Sequence, residues 1–367
     1  MSRSKLTGLA VLVLGALLTS ACGATSGAGD GGKTVYMLLP NTTTVRFVTH
    51  DGPDFKEALE KDVPGTEVII QNAENDPQKQ VQQVDTAISA GAAAIVLVAA
   101  DPYIAGGALQ RADQAKVPVL LYDHDARGGP AAAQVVFDSL SVGQNQGKDA
   151  ATVLAGATAS APKVIARIYG NQGDYGTTQY KKGQDEHLQP LIDSGAVKVA
   201  CETYTPNWDP AKAQSEMEQC LTKTNNAVDA VVVMNDGTAG GVIAALKAQG
   251  LAGKVPVIGG QDADLQAIQY ILLGLQYDTV YKPFKLQADK AAELTAQLLK
   301  NGKIDSGATD GHVDNGFMKP GVPAVFLPVQ LLNQDNIDTV VKDGVWTWEQ
   351  ICTGAAADTP TCQKEMS

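Results

Sequence analysis

The stretch VVVMNDGTAGG, residues 231–241, places four apolar residues directly before Asn235 and Asp236. A short apolar run such as Val231–Met234 is typical of a strand that is buried on both faces of a parallel sheet. Small residues and then periodic apolar ones follow, which predicts that a helix starts here. Ligands bind in the crevice at the carboxyl ends of strands in open α/β sheets, so this polar pair stands where a ligand site is expected. Capping of the helix is the alternative role for Asp236.

Strand and helix patterns alternate in the same way from residue 33 onward. The strand patterns are TVYMLLP, TEVIIQ, AAIVLVAA, VPVLLYD and QVVFDS, and, after a helix at about 140–156, KVIARIYG, VKVACETY, DAVVVMND and VPVIGG. This βα repetition predicts an α/β fold with two doubly wound parallel sheets. Four strand ends, two from each half, carry polar residues, which predicts two surfaces that face one cleft: Asp123, Asp138, Asn235 and Asp262.

The first residues predict an export signal. Two basic residues precede the apolar run Leu6–Leu18, and small residues lead to Cys22. This apolar run is too short to span a membrane as a stable helix. A cysteine at the cleavage point resembles the bacterial lipoprotein signal, although Thr19 stands where that signal usually has Leu. We therefore expect residues 1–21 to be removed, Cys22 to carry a lipid anchor on the outer face of the cell membrane, and the Gly- and Ser-rich residues 22–32 to form a flexible tether.

Four further cysteines, an even number in an exported chain, predict two disulfides. Three connectivities are possible, and the local pairs Cys201–Cys220 and Cys352–Cys362 are favoured because each closes a short loop. A zinc site is the alternative, but the chain has no CxxC and no histidine close to these cysteines.

Length and charge restrict the class of protein. Removal of the 21-residue signal from the 367 residues leaves 346 (367 − 21), which suits two domains. Lys and Arg number 28 against 40 Asp and Glu, a net charge of −12. This balance disfavours nucleic acid, an anionic lipid surface and an anionic ligand. The GxSxG and HExxH patterns of hydrolases and metalloproteases are absent, so no catalysis is expected.

The polar strand ends suit a neutral, hydroxyl-rich small molecule. Carboxylates and amides hydrogen-bond pairs of neighbouring hydroxyls, and aromatic rings cover the C–H face of a sugar. Trp208 and Phe47 lie in predicted loops, where they either cover a ligand or pack against a domain surface. The cluster YDHDARGG, residues 122–129, carries three possible metal ligands in succession, but such side chains on one turn rarely converge on one ion. We predict a pocket rim or a plain turn there, with no metal and no cofactor.

These residues belong to motifs that resemble a family. The stretch AVVVMNDGTAGGVIAALKAQGLAGKVPVIGGQDADLQAI, followed by DTVYKP and DNIDTVVKDG, resembles the type I periplasmic sugar-binding proteins, and specifically their xylose-binding branch. The resemblance spans roughly residues 33–345. It implies two lobes that close over one sugar, joined by three crossovers, and docking of the loaded monomer on the membrane subunits of an ABC permease.

The resemblance also implies lobe boundaries and site residues. Residues 33–138 with 262–310 are expected to form the N-terminal lobe, and residues 139–261 with 311–345 the C-terminal lobe, before a disulfide-containing extension at 346–367. The ligand-binding residues implied by matching motifs are Arg46, Phe47, Asp123, His124, Asp174, Trp208, Asn235, Asp262 and Lys282. On this basis Asn235 bonds a ligand hydroxyl, while Asp236 caps the helix.

Three departures from the family pattern bear on the ligand. Phe47 replaces the usual Trp, His124 replaces an Arg, and Tyr175 and Gly176 replace asparagines. Loss of a five-donor arginine fork is expected to change preference among sugars. We predict a ligand of about five carbons, either xylose or a polyol such as xylitol. The alternative function is a sugar-sensing receptor that feeds a membrane signalling kinase. An enzyme is a further alternative.

Overall fold

Parallel strands alternate with helices through residues 33–367, which the computed structural model describes. The strands are β1 Thr34–Leu39, β2 Glu67–Asn72, β3 Ala94–Leu97, β4 Val119–Tyr122, β5 Ala133–Phe137, β6 Lys163–Tyr169, β7 Val197–Tyr204, β8 Ala230–Val233, β9 Val257–Gly259, β10 Thr279–Tyr281, β11 Gly311–Val313, β12 Val322–Leu327 and β13 Gln330–Leu332. The α-helices are α1 Gly52–Asp62, α2 Pro77–Ser89, α3 Ala105–Gln114, α4 Ser139–Val153, α5 Tyr175–Asp193, α6 Pro210–Thr224, α7 Asp236–Ala248, α8 Leu265–Leu272, α9 Phe284–Asn301, α10 Thr339–Lys342, α11 Trp348–Ile351 and α12 Pro360–Glu365.

Seven strands form the first sheet, in the order β11-β12-β5-β4-β3-β1-β2. All neighbours pair in parallel except β11, which is an antiparallel edge strand. Strands β3, β4 and β5 are buried along their whole length, as their predominantly apolar sequences predict. One face packs on α9 and the other on α2 and α3. The predicted α/β class with parallel sheets is confirmed.

The second sheet has four parallel strands in the order β7-β6-β8-β9. Val231 and Val233 point into a core with α6 and α7, whereas Val232 points to the opposite face, where α4 and α5 pack. The opening stretch of sequence is therefore a central strand buried on both faces. A disulfide joins Cys201 of β7 to Cys220 of α6, as predicted.

Two of the three predicted lobe crossovers are displaced. The chain leaves the first sheet after β5 as expected, but α8 and β10 pack with the second part of the molecule, so the return follows Lys282 and not residue 262. Strands β11 and β12 pair with β5, so residues 311–327 belong to the first sheet and not to the C-terminal lobe. The predictions differ from the structure at both points because a crossover depends on which strand the chain pairs with next, and a local pattern does not contain that information.

The C-terminal residues pack against the crossover region. Cys352 and Cys362 form the second predicted disulfide, and Cys362 lies in a buried apolar cluster with α8. The indole nitrogen of Trp346 donates to the carbonyl of Ala263 at 2.8 Å. Its ring also contacts His50, which precedes α1, with ring centroids 5.2 Å apart. The extension thus touches both parts of the molecule.

None of the helices described here has the length and apolarity that a membrane span needs. The predicted signal, Cys22 and the tether lie outside the described residues.

Candidate ligand-binding cleft

Side chains that follow the parallel strands converge on one cleft between the two sheets. The cleft encloses about 520 Å³, part of it open to solvent. Of the nine sequence-predicted site residues, eight line it: Phe47, Asp123, His124, Asp174, Trp208, Asn235, Asp262 and Lys282. Their convergence follows from topology, since carboxyl ends of parallel strands share one edge of each sheet.

The floor of the cleft is a buried network of charges. The ammonium of Lys282 lies 3.0 Å from Oδ1 of Asp262 and 3.9 Å from Oδ1 of Asp123. Arg46 approaches the same two carboxylates at 3.5 and 3.7 Å. Lys282, Asp262 and Arg46 are at most 3% exposed. Unpaired buried charges are very unfavourable, and each of these groups has a partner of opposite charge.

The pKa values of the network follow from this pairing. Burial alone would raise the pKa of Asp123. The positive charges of Lys282 and Arg46 together lower it by more, so the pKa lies well below its usual value. Burial acts to lower the pKa of Lys282, yet Asp123 and Asp262 raise it above its ordinary value. At neutral pH the cleft therefore presents the carboxylate of Asp123 and the ammonium of Lys282, which are strong hydrogen-bonding groups for hydroxyls.

Arg46 differs from the prediction because it does not line the cleft. Its guanidinium is turned away toward Asp51, with Nε–Oδ2 at 2.7 Å, and Nη2 donates to Gln287 at 2.6 Å. The hydroxyl of Tyr122 donates to the same Asp51 carboxylate. Arg46 thus positions and balances the carboxylates from behind. A sequence motif could not distinguish this orientation from direct contact with the cleft.

Three cleft residues adopt a left-handed backbone. The φ values are 58° for Asp123, 55° for Trp208 and 99° for Asp262. Such conformations cost on the order of 1–3 kcal/mol for residues other than glycine and are concentrated at functional sites. Their presence at three strand ends around one cavity supports a functional role for this region.

Two aromatic rings, those of Phe47 and Trp208, line the cleft. Trp208 donates its indole N–H to Oδ2 of Asp174 at 2.8 Å, which fixes both side chains. Phe47 packs edge-on to His124, with centroids 5.6 Å apart. Burial raises the pKa of Asp174, although His124 and the Trp208 hydrogen bond act in the opposite direction.

The helix cap that was predicted at Asp236 lies one residue earlier, at Asn235. Asn235 caps α7, because its Oδ1 accepts from the amide of Thr238 at 2.9 Å. Its Nδ2 donates to no other described residue and remains available in the cleft. Asp236 is buried and accepts from the amide of Asp264 and the side chain of Gln276, at 3.0 and 2.9 Å. Asp236 therefore joins chain segments near the crossover and does not cap the helix.

His124 presents one ring nitrogen to the site. Its Nδ1 lies 2.9 Å from the carbonyl oxygen of Ala99, which can only accept. Nδ1 therefore carries a proton, and Nε2 lies 3.8 Å from Oδ2 of Asp123. An arginine at this position would supply a fork of several donors in place of this single nitrogen.

The two parts of the molecule also meet at the rim of the cleft. Asp174 precedes α5 but does not cap it, and Oδ1 of Asp125 instead accepts from the amide of Tyr175 at 3.1 Å. The ring of Tyr175 packs against an apolar cluster of the first sheet that includes Val136 and Val313. These contacts join the two parts of the molecule beside the cleft. Asp138, another polar strand end, caps α4 and does not line the cleft.

Eight lining residues were missed by sequence reasoning: Thr44, Asp125, Val136, Phe137, Ser139, Gly176, Tyr180 and Gln261. Asp125 and Gln261 adjoin predicted residues, so strand-end position could have identified them. Tyr180 lies within a helix, where nothing in the sequence distinguishes it from a core residue.

Metal binding and phosphate binding each require a particular local arrangement of residues. Within residues 33–367, no three acidic, histidine or cysteine side chains cluster in a way that could hold a metal ion. The stretch GAGDGGKT, residues 27–34, matches the phosphate-binding pattern GxxxxGK[ST]. That loop requires a helix directly after it, whereas β1 begins at Thr34 and the ammonium of Lys33 donates to the carbonyl of Leu299. The pattern is therefore not a nucleotide site.

Known proteins share this architecture. The periplasmic binding protein domain family matches residues 35–304, and the chain belongs to that family. The D-xylose-binding periplasmic protein of Haemophilus influenzae is 38% identical over 291 residues, 78% of this chain and 83% of the relative. The resemblance to periplasmic sugar-binding proteins is therefore confirmed.

Two further proteins extend this comparison. The xylitol-binding protein of Mycolicibacterium smegmatis is 28% identical over 361 residues, 96% of this chain and 92% of the relative. An ABC transporter solute-binding protein of Clostridium phytofermentans, solved with bound β-D-glucose, has the same fold. Its TM-score is 0.77 at 24% identity, covering 87% of this chain and all of that one (100%).

Proposed function

We propose that this protein is the sugar-binding component of a carbohydrate ABC importer, and that its ligand is xylose or a polyol such as xylitol. The observation that carries this proposal is the convergence of Asp123, Asp262 and Lys282 with Phe47 and Trp208 on one cleft. The charged groups can hydrogen-bond the hydroxyls of a sugar, and the rings can cover its C–H face. The named relatives that bind D-xylose and xylitol support the same ligand class.

A neutral ligand fits the electrostatics of the cleft. Lys282 and Arg46 are already balanced by Asp51, Asp123 and Asp262, so the network has no free cation for an anionic ligand. Ligand hydroxyls can instead donate to carboxylate oxygens and accept from the ammonium without disturbing the pairing. Micromolar affinity corresponds to a net of about 8 kcal/mol, which a few such bonds and two ring contacts supply.

The choice between xylose and xylitol is expected to depend on His124. His124 offers the cleft one ring nitrogen, Nε2, 3.8 Å from Oδ2 of Asp123, whereas an arginine would offer a fork of several donors. The ring oxygen of a pyranose can only accept a hydrogen bond. Loss of those donors therefore favours a ligand that presents hydroxyls instead, as an open-chain polyol does.

Calorimetric titration with xylose, xylitol, glucose and ribose tests the proposal, first on the wild type and then on His124→Arg. We expect binding of a five-carbon ligand in the wild type and a shift toward xylose in the variant. A preference for a hexose would contradict the proposed size. An unchanged ratio of xylose to xylitol affinity would show that His124 does not set the preference.

The proposal includes a lipid anchor at Cys22, a monomeric binding protein, no catalysis, and delivery to the permease at the outer face of the membrane. The cysteine at the predicted cleavage point and the tether after it support the anchor. Expression of Cys22→Ser in the native host tests it. We expect the variant to leave the membrane fraction, and retention there would contradict the anchor.

A further inference from the structure

Tyr180 brings a hydroxyl to the cleft from inside helix α5. The residue is 6% exposed, lines the cleft, and packs edge-on to Trp208, with centroids 6.3 Å apart. Long side chains on a helix lean toward its N-terminus, and α5 begins at the cleft. The phenol of Tyr180 is therefore directed back to the ligand-binding end of the helix.

Gly176 makes room for this hydroxyl. It lies one turn before Tyr180 on the same helix, and a Cβ at Gly176 would lie 3.0 Å from the Tyr180 hydroxyl. The backbone of Gly176 is not in the left-handed region, so its conformation does not demand glycine. Glycine lowers helix propensity, and the close approach of the hydroxyl accounts for its presence here.

Gln261 presents an unused acceptor beside Tyr180. Its Oε1 is buried and has no hydrogen-bond partner among the described residues, and the residue is 3% exposed. Burial raises the pKa of Tyr180, and the adjacent amide of Gln261 acts in the opposite direction. The Tyr180 hydroxyl likewise donates to no described acceptor. A buried amide oxygen without a partner is uncommon, so a donor from outside the protein is expected there.

We propose that Tyr180 and Gln261 form a further specificity-determining pair for the sugar. The Tyr180 hydroxyl donates to one ligand oxygen, and Oε1 of Gln261 accepts from a neighbouring ligand hydroxyl. The pair recognises vicinal hydroxyls without charge, in contrast to Asp262 and Lys282. Gly176 is the positioning residue that admits the phenol. This assignment deepens the proposed sugar-binding function and rests on it.

The test is Tyr180→Phe, titrated calorimetrically with xylose, xylitol and xylose analogues that each lack one hydroxyl. The substitution preserves the ring packing on Trp208 and removes one donor. We expect affinity for the preferred sugar to fall about tenfold, because the ligand oxygen that accepts from the Tyr180 hydroxyl is left without a donor. For one deoxy analogue, wild type and variant should bind equally. The matched control is Tyr169→Phe, whose hydroxyl donates to Glu202 outside the cleft and should leave affinity unchanged.

A second variant tests the positioning step. Gly176→Ala adds a methyl group at the crowded position and should weaken binding as Tyr180→Phe does. The combination of both substitutions should then weaken it no further. Equal affinity of Tyr180→Phe and wild type for every ligand would overturn the proposal. A wild type that binds none of the sugars would instead contradict the proposed function, so the two failures are distinguishable.

Discussion

Removal of the Asp262 carboxylate should abolish sugar binding while the chain still folds. Oδ1 of Asp262 lies 3.0 Å from Lys282 and 3.5 Å from Arg46, gross attractions of about 5 kcal/mol each at an effective dielectric constant near 20. Breaking a buried pair costs roughly 3–5 kcal/mol of stability. Asp123, at 3.9 Å from Lys282 and 3.7 Å from Arg46, offsets part of that loss. Since a protein of this kind has a stability of roughly 5–15 kcal/mol, we expect Asp262→Ala to remain folded.

The affinity of Asp262→Ala for sugar should fall by more than its loss of stability alone would cause. A carboxylate that accepts from two ligand hydroxyls supplies about 1.5–3 kcal/mol for each bond, so the dissociation constant should rise about 10²- to 10⁴-fold. Calorimetry gives the affinity, and circular dichroism with thermal melting checks the fold. Asp262→Asn, which keeps the shape and removes the charge, should fall between wild type and Asp262→Ala. Affinity of Asp262→Ala within threefold of wild type would refute the assigned role.

Three other outcomes are expected. Burial and the neighbouring Asp262 raise the pKa of Asp264 to about 7. The protonated Asp264 therefore contributes fully to stability below about pH 4, and this contribution is lost as the pH rises toward 7. Asp264→Asn should flatten this pH dependence in thermal melts. Replacement of Cys201 and Cys220 by Ser should lower the unfolding free energy by about 3 kcal/mol in urea titrations, given their 19-residue separation. Asp125→Ala should raise the sugar dissociation rate by about three- to tenfold in stopped-flow experiments, and Asp125→Asn, which keeps an acceptor, by less.

Local patterns predicted strands β1–β9 and several of the site residues that follow them, but they did not predict β10–β13. Val231–Met234 predicted a buried strand, and Asn235 after it lines the cleft, as do Asp123 and His124 after β4. Side-chain direction was not predictable in this way. Arg46 turns away from the cleft because Asp51 lies behind it. Tyr180 enters the cleft from within a helix because Gly176 leaves space one turn earlier.

The sheet to which a strand belongs was also not predictable from the local sequence. The three residues of β11 carry too little periodicity to show which sheet they join, and the partner of β12 lies almost 200 residues earlier in the chain, in β5. Pairing at such a separation is decided by the packing of the whole molecule, which a local pattern does not contain.

The tryptophans lie at positions where their fluorescence can report on ligand binding and on lobe movement. The chain has three tryptophans. Trp208 lies in the cleft, and Trp346 meets the ring of His50 across the crossover region. Emission from Trp208 should therefore respond to a sugar at its face, while emission from Trp346 should respond when the lobes move and the imidazole changes distance. Single Trp→Phe substitutions would separate the two signals, so occupancy and closure could be timed independently in one unlabelled chain.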